Sequence, residues 1–378
     1  MKKLLPLLAI SLLFSCGESS GSGSHLDEGV EFSYSLDTVK VDSGDLLLAV
    51  DRGISTMALS PDKNSLYFYN STELRLDQID LNTYKVTRSI QFTQEGPTGI
   101  GGLSPYEFHI TENEEVFISS SDGIRKMDRE GNRITMFNWE NLETDLVPEN
   151  TILSFSGDFD DSGNRFFGTY GKTRGGNSSG EGIAIVDLKS DQLTTKKIPL
   201  LDALAEFEIR LEAEISTINT DRFYLHHRDN QVLISTNGVN GLTIYNYQED
   251  SLTEKIYKTQ LLPEKRPGTF ARRVNSMEAL EEAIKAKYKE PTFGPFIYDN
   301  QKSYFYRFST FSAVSATDGE KLSVVLSIFD HEFNMIYEER NLPEFTGNVF
   351  FRNGLLHKAI NQNDELFFVR LKPNLKNL

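Results

Sequence analysis

Residues able to do covalent chemistry are scarce in this chain, and the first of them is unique. Cys16 is the only cysteine in 378 residues. It follows Met1-Lys2-Lys3 and an apolar run from Leu4 to Phe14, ending Leu13-Phe14-Ser15-Cys16. A charged start, a short apolar stretch and a small residue before the cleavage point make a signal peptide. The four residues ending at Cys16 resemble the bacterial lipobox, whose thiol takes a lipid. The apolar run is too short to span a bilayer. Cys16 is therefore expected to carry the lipid. Acylation would leave no thiol for a disulfide, a metal or nucleophilic catalysis.

Other chemistry-bearing patterns are weaker. Asp158, Asp160 and Ser162 hold positions one, three and five of a calcium loop with Gly163 at six, but Thr169 stands where a bidentate Glu is needed. The segment reads better as a hairpin turn before Arg165-Phe166-Phe167. His226 and His227 are neighbours, and neighbouring strand residues point to opposite faces, so the two cannot chelate one metal. His109, His331 and His357 are scattered. No Gly-x-Ser-x-Gly elbow occurs. The glycine-rich stretch from Gly171 to Gly182 lacks phosphate-loop spacing and reads as a long loop. Residues 95–102, with four glycines, read as a link at a channel mouth. No catalytic residue, cofactor site or metal site is assigned. Arg174, Arg228 and Arg307 are the candidate ligand-face residues, because arginine forks recognise carboxylate or sulfate bidentately.

These residues must be positioned by repeated strands. An apolar strand ends in Asp or Asn, a polar turn follows, and an apolar residue returns six positions later. The copies are Asp80 with Val86, Asp128 with Ile134, Asp187 with Leu193, Asn246 with Leu252, and Asp330 with Ile336. Asp and Asn suit the strand end because their side chains cap the following turn. Another short strand precedes each copy. Units of about 50 residues with several short strands read as propeller blades. A last unit, Leu355 to Leu371, lacks an outer strand, while residues 31–41 form a strand that belongs to no unit. The expected fold is all-β, a six-bladed β-propeller closed by the N-terminal strand. Seven blades would need another inside 203–290. The blades are expected near 45–92, 96–145, 149–200, 203–262, 290–342, and 345–374 plus 31–44. One helical insertion is expected over Asn275–Lys289, with Asn275 as N-cap, Met277, Leu280, Ile284 and Tyr288 on one face, and Glu281, Glu282, Lys285 and Lys289 solvated.

The domain plan is thus a signal peptide (1–15), a flexible Gly/Ser-rich tether (16–29) and one propeller domain (30–378). The formal charge of −16 argues against nucleic acid, which needs a positive surface, and against broad adhesion to anionic lipid.

Val41-Asp42-Ser43-Gly44, the run from Leu59 to Tyr67 (LSPDKNSLY) and the run from Glu95 to Gly101 (EGPTGIG) resemble segments of a Bacteroidota lipoprotein family of unknown function, domain of unknown function family 4221. The resemblance implies an exported lipoprotein propeller and transfers no catalytic residue. The expected function is a lipid-anchored extracytoplasmic binding module. Its partner would be a protein, peptide or glycan, and its membrane contact would run through Cys16 at the outer membrane, on the periplasmic face or the cell surface. The alternative is a lactonase- or lyase-like propeller enzyme with a channel metal, which needs acids and histidines from different blades to converge.

Overall fold

In the computed structural model, the described residues are 18–20, 30–50, 54, 56–101, 105–120, 122–138, 151–174, 177–178, 180–213, 217–315 and 319–376. Cys16, the signal peptide and most of the tether lie outside them. Glu18–Ser20 forms a short strand against residues 33–35.

Six antiparallel sheets follow one another along the chain. Sheet 1 comprises Met57–Leu59, Ser65–Asn70, Arg75–Asp80 and Lys85–Gln91, paired in that order. Sheet 2 comprises Glu107–Ile110, Val116–Ser120, Gly123–Met127 and Arg133–Asn138. Sheet 3 comprises Thr151–Phe159, Arg165–Arg174, Gly182–Asp187 and Gln192–Lys197, with Asn177–Ser178 folded back on its second strand. Sheet 4 comprises Phe223–Arg228, Gln231–Thr236, Gly241–Asn246 and Ser251–Ile256. In sheet 5 the first strand is split into Thr292–Phe293 and Ile297–Asp299, both on Tyr304–Ser315, followed by Gly319–Phe329 and Met335–Arg340. Sheet 6 comprises Val349–Arg352, Leu355–Gln362 and Glu365–Lys376, and its fourth strand is Glu31–Lys40 from the other end of the chain.

The turn chemistry is as the sequence requires. Asp80 accepts from the N–H groups of Asn82 and Thr83, and Asp128 from those of Glu130 and Asn132. Asp187 accepts from Lys189 and Ser190, Asn246 from Gln248 and Glu249, and Asp330 from Glu332 and Asn334. Each lies between the third and fourth strands of its sheet. Each turn also holds one residue of positive φ, among them Tyr84, Asp191, Asp250 and Phe333 at 48–61°, a conformation that costs little only when the cap fixes the turn.

Apolar residues then decide how the sheets meet. Tyr67 and Leu76 of sheet 1 pack with Phe108 and Ile118 of sheet 2. Phe117 and Ile124 of sheet 2 pack with Phe166 and Val186 of sheet 3. Phe167 and Ile183 meet Val232 and Ile234 of sheet 4. Leu233 and Leu242 meet Phe305 and Phe329 of sheet 5. Tyr306 and Leu326 meet Phe351 and Leu356 of sheet 6. Phe350 and Phe368 of sheet 6 meet Leu66 and Phe68 of sheet 1. The core is a succession of seams between neighbouring sheets, and it returns to its start. This is a β-propeller.

Closure runs through a ten-residue antiparallel ladder from Glu31↔Lys376 to Lys40↔Phe367, which pairs the edge that sheet 6 would otherwise expose. Arg370 grips Asp37 through two contacts of 2.6 Å and donates to Tyr84 Oη at 3.0 Å. Tyr84 Oη lies 3.0 Å from Nε2 of buried His357. Arg352 reaches from sheet 6 to the carbonyls of Lys63 and Leu81 in sheet 1.

Region 203–290 differs from expectation. The four-stranded sheet occupies only 223–256. The remainder forms a small sheet of Ile209–Leu211, Thr217–Asn219 and Arg273–Val274, with one pair parallel, and the Met277–Lys289 helix. A three-stranded mixed sheet is not a further four-stranded meander. The helix starts one residue late: Ser276, not Asn275, is the N-cap, accepting from Ala279 N–H. Its inner face is Leu280, Ala283 and Lys287, whereas Met277 and Tyr288 are exposed. Lys287 is drawn inward by three acceptors: Phe207 O at 2.9 Å, Asn219 Oδ1 at 3.2 Å and Asp221 Oδ1 at 3.3 Å.

Candidate functional site

The first strand of every sheet faces the axis, and together they enclose a cavity of about 1470 Å³. Its wall takes Leu59 from sheet 1, Glu107 from sheet 2, Ser156 from sheet 3, His226 from sheet 4, Tyr298 from sheet 5 and Phe350 from sheet 6. At one end the lining comes from segments entering the sheets, at 219–222, 287–288 and 344–348; at the other it comes from the first turns, through Lys63, Asp161 and Asp229. The cavity therefore spans the height of the sheets. The inserted helix reaches it through Lys287 and exposed Tyr288.

One wall is built from sheets 2, 3 and 4. The first strand of sheet 3 bulges between Ser154 and Asp158, and a bulge re-aims the side chains beside it. Gly157 makes the bulge possible, since a Cβ there would sit 2.1 Å from Phe167 O. Asp158 then reaches sheet 4: its Oδ2 accepts the His227 N–H at 2.8 Å and lies 3.5 Å from His226 Nδ1. Burial acts to raise the Asp158 carboxyl, but the His226 contact and the His227 N–H outweigh it and hold it below its ordinary value. Ser156 Oγ donates to Glu107 Oε1 at 3.3 Å. Burial first, and then the Asp158 charge, push the Glu107 carboxyl up to about 7. Burial pushes His109 down; its ring stacks on Phe159 at 5.0 Å. His226 and His227 do point to opposite faces. The His226 side chain is 52% exposed, while His227 is buried against Phe167, with ring centroids 5.2 Å apart.

The three arginines fare differently. Arg228 lines the cavity, its guanidinium 4.0 Å over the Tyr298 ring and donating to Tyr298 Oη at 3.0 Å, with Asp229 at 3.6 Å. Arg174 sits at the end of the second strand of sheet 3, paired with Asn177; its side chain lies outside the described residues. Arg307 does not sit on a ligand face. It is wholly buried, donating to the carbonyls of Gly294, Thr236 and Val239 and to Asn240 Oδ1, with Phe293 and Phe296 against its guanidinium. Burial pushes it down to about 10. Its donors tie sheet 5 to sheet 4.

Other sequence candidates are structural. Asp160 Oδ1 accepts from Ser162 Oγ and the Asn164 N–H, forming the expected turn, and Asp158 points away from it. Residues 95–101 do not line the cavity. They lie beside the outer strand of sheet 2, where Arg133 donates to Pro97 O at 2.7 Å and Gly101 abuts the Arg125 guanidinium. Glu107 was missed by sequence reasoning, although the alternation Glu107-Phe108-His109-Ile110, with Phe108 and Ile110 in the seam, places Glu107 on the opposite face. Among the described residues no group of three or more His, Cys, Asp or Glu could hold a metal ion, and no helix is long and apolar enough to cross a membrane.

No curated protein matches the chain in sequence. A crystal structure of a DUF4221 family member from Bacteroides vulgatus is similar to it, with a TM-score of 0.65 at 13% identity over 92% of this chain and 99% of the other. A crystal structure of a protein assigned as exported, from Bacteroides fragilis, is similar with a TM-score of 0.51 at 9% identity over 95% and 98%. At these identities the likeness speaks for the fold alone. The sequence profile of the domain of unknown function DUF4221 matches residues 29–340, most of the length, and the chain belongs to that family.

Proposed function

We propose that this is a lipid-anchored, six-bladed propeller of the Bacteroidota cell envelope that binds a ligand in its central cavity without transforming it. The observation that carries this reading is the cavity itself, walled by the first strand of every sheet and mixing carboxyl, imidazole, guanidinium and aromatic groups. It exceeds the size range of ordinary small-molecule pockets, roughly 300–1,000 Å³, which favours an extended ligand such as a peptide or glycan segment. Cys16 would hold the disc to the membrane by its lipid, with the following residues as a tether.

Two experiments test this. A Ser156→Trp variant places an indole in the cavity wall. Pull-downs from native membranes with wild type and Ser156→Trp should differ in one partner or glycan; identical captures, with the variant folded by circular dichroism, would reject the cavity as the ligand site. Radiolabelled palmitate should label wild type and not Cys16→Ala. Label on Cys16→Ala would overturn the anchor.

A further inference from the structure

Charge is distributed unevenly around the cavity. Several buried carboxylates of this chain have a cation beside them: Asp77 has Arg75 at 2.7 Å, Glu208 has Arg210 at 2.7 Å, and Asp221 has Arg266 and Lys287, each at 3.3 Å; Glu107 is only partly buried. Glu107 has no ion-pair partner among the described residues; its neighbours are the Ser156 hydroxyl and the Asp158 carboxylate. Asp158 has His226. His109, on the same strand as Glu107, adds no positive charge, because burial favours its neutral form and its Nε2 is enclosed without a hydrogen-bond partner. This corner therefore sets two carboxyls from adjacent sheets against one exposed imidazole. The Asp158 charge disfavours ionisation of Glu107, and a cation placed beside them would relieve that repulsion. Two residues further along the same strand face stands Arg228, about 7 Å away at strand rise, open to the cavity and stacked on Tyr298. The wall thus offers a place for a cation next to a place for an anion or a carbonyl, a pattern that a peptide satisfies and a neutral glycan does not.

We propose that the corner of the cavity lined by Glu107, Ser156 and His226, with Asp158 held against His226 beside it, is a subsite for the ammonium or guanidinium of a basic side chain in a peptide occupying the cavity. The inference rests on the cavity being the ligand site. The incoming cation replaces the proton that Glu107 holds: the Glu107 O–H proton leaves to solvent, and the carboxylate pairs with the cation. Asp158 acts on Glu107 and keeps its charge throughout, while His226 lines the same cavity and His109 follows on the Glu107 strand.

The test uses the full-length protein and two end-blocked pentapeptides, Ala-Gly-Lys-Gly-Ala and the same peptide with norleucine in place of lysine, followed by calorimetry between pH 6 and 8. The lysine peptide should bind at least tenfold more tightly, with about one proton released at pH 6, the release fading by pH 8. Glu107→Gln should remove the preference and the proton release without lowering the melting temperature. Equal affinities for the two peptides, or an undiminished preference in Glu107→Gln, would overturn the subsite. If neither peptide binds but Ser156→Trp still loses a native partner, the cavity reading stands and the basic-peptide subsite fails. If Ser156→Trp loses nothing, both fail.

Discussion

The seam between sheets 6 and 1 and the cavity wall of sheets 2 to 4 use the same residue types to opposite ends. At the seam a chain of polar groups is answered from within. Asp37 holds Arg370, Arg370 holds Tyr84, and Tyr84 holds His357, whose Nδ1 meets Leu355 O at 3.0 Å. At the wall, Glu107 keeps only a hydroxyl at 3.3 Å and a like-charged neighbour. Internally answered charges serve the fold, since breaking one leaves another buried and unpaired. Charges left unanswered beside a cavity carry a standing cost that a ligand can relieve.

The largest effect should come from removing the seam's strand. Deleting residues 31–44 strips ten ladder pairs and one side of two apolar seams, to which Phe32 and Val41 contribute. The variant should lose its cooperative thermal transition or melt at least 15 °C lower, because each blade otherwise contacts only its neighbours. An unchanged melting curve would mean that the ladder is ornamental.

Acid should sharpen the comparison. Burial, the first cause, holds His357 down to about 4 from an ordinary 6.5, with Arg370 and Arg352 adding to it against the Leu355 carbonyl and Asp37. The folded protein keeps the imidazole neutral, so its contribution is complete above pH 6.5 and is lost as pH falls from 6.5 towards 4. The loss is on the order of 3 kcal/mol. Chemical denaturation at pH 7.5 and pH 4.5 measures it, and His357→Gln should flatten that dependence. A wild-type stability that is level across this window would remove His357 from the account.

The wall should respond with the opposite sign. Glu107, raised to about 7, favours the fold while protonated below pH 4.5, and that contribution is lost as pH rises through 7. Glu107→Gln should therefore stabilise the protein at pH 8 by roughly 1–3 kcal/mol and do little at pH 4.5. Destabilisation at pH 8 would show that the carboxylate is needed by the fold.

Smallest should be the outer turns, which belong to neither region. Asp128→Ala removes acceptors for two turn N–H groups and should cost about 1 kcal/mol in urea unfolding, with no change in peptide binding. A cost above about 3 kcal/mol would give these turns more weight than the seam network.

What could be read in the sequence was what is local. The five capped turns depend on Asp or Asn and the next few residues, so their spacing alone announced the sheets. The homeless strand and the truncated last unit announced closure by complementarity. The small sheet of Ile209–Leu211, Thr217–Asn219 and Arg273–Val274 was illegible for a physical reason: its strands are two or three residues long, too short to show a period of two, and Arg210 pairs with Arg273 in parallel across a distant stretch of chain. The helix was legible and half of its inner face with it, since Leu280 and Ile284 do pack on the core; Lys287 was not, because it is turned inward by Asp221, a partner far away in sequence. Arg307 deceived for a related reason. Its strand is buried on both faces from Phe305 to Ser309, so alternation gave no sign that this arginine, enclosed by carbonyls, never meets solvent. Arg228, on a half-exposed strand, was readable as facing the cavity.

The ten-pair ladder also sets an order of events in time. Glu31–Lys40 can find its partner only when Glu365–Lys376 has been made. Contacts so distant along the chain are the slowest to form. Sheets 1 to 5 can each collapse as they emerge, but the ring stays open, with a long bare edge at each side of the gap, until its final strand arrives. A ribosome that releases this protein slowly therefore holds it as an arc, exposed to edge-to-edge pairing with other copies. Faster delivery of the last residues should raise its folded yield.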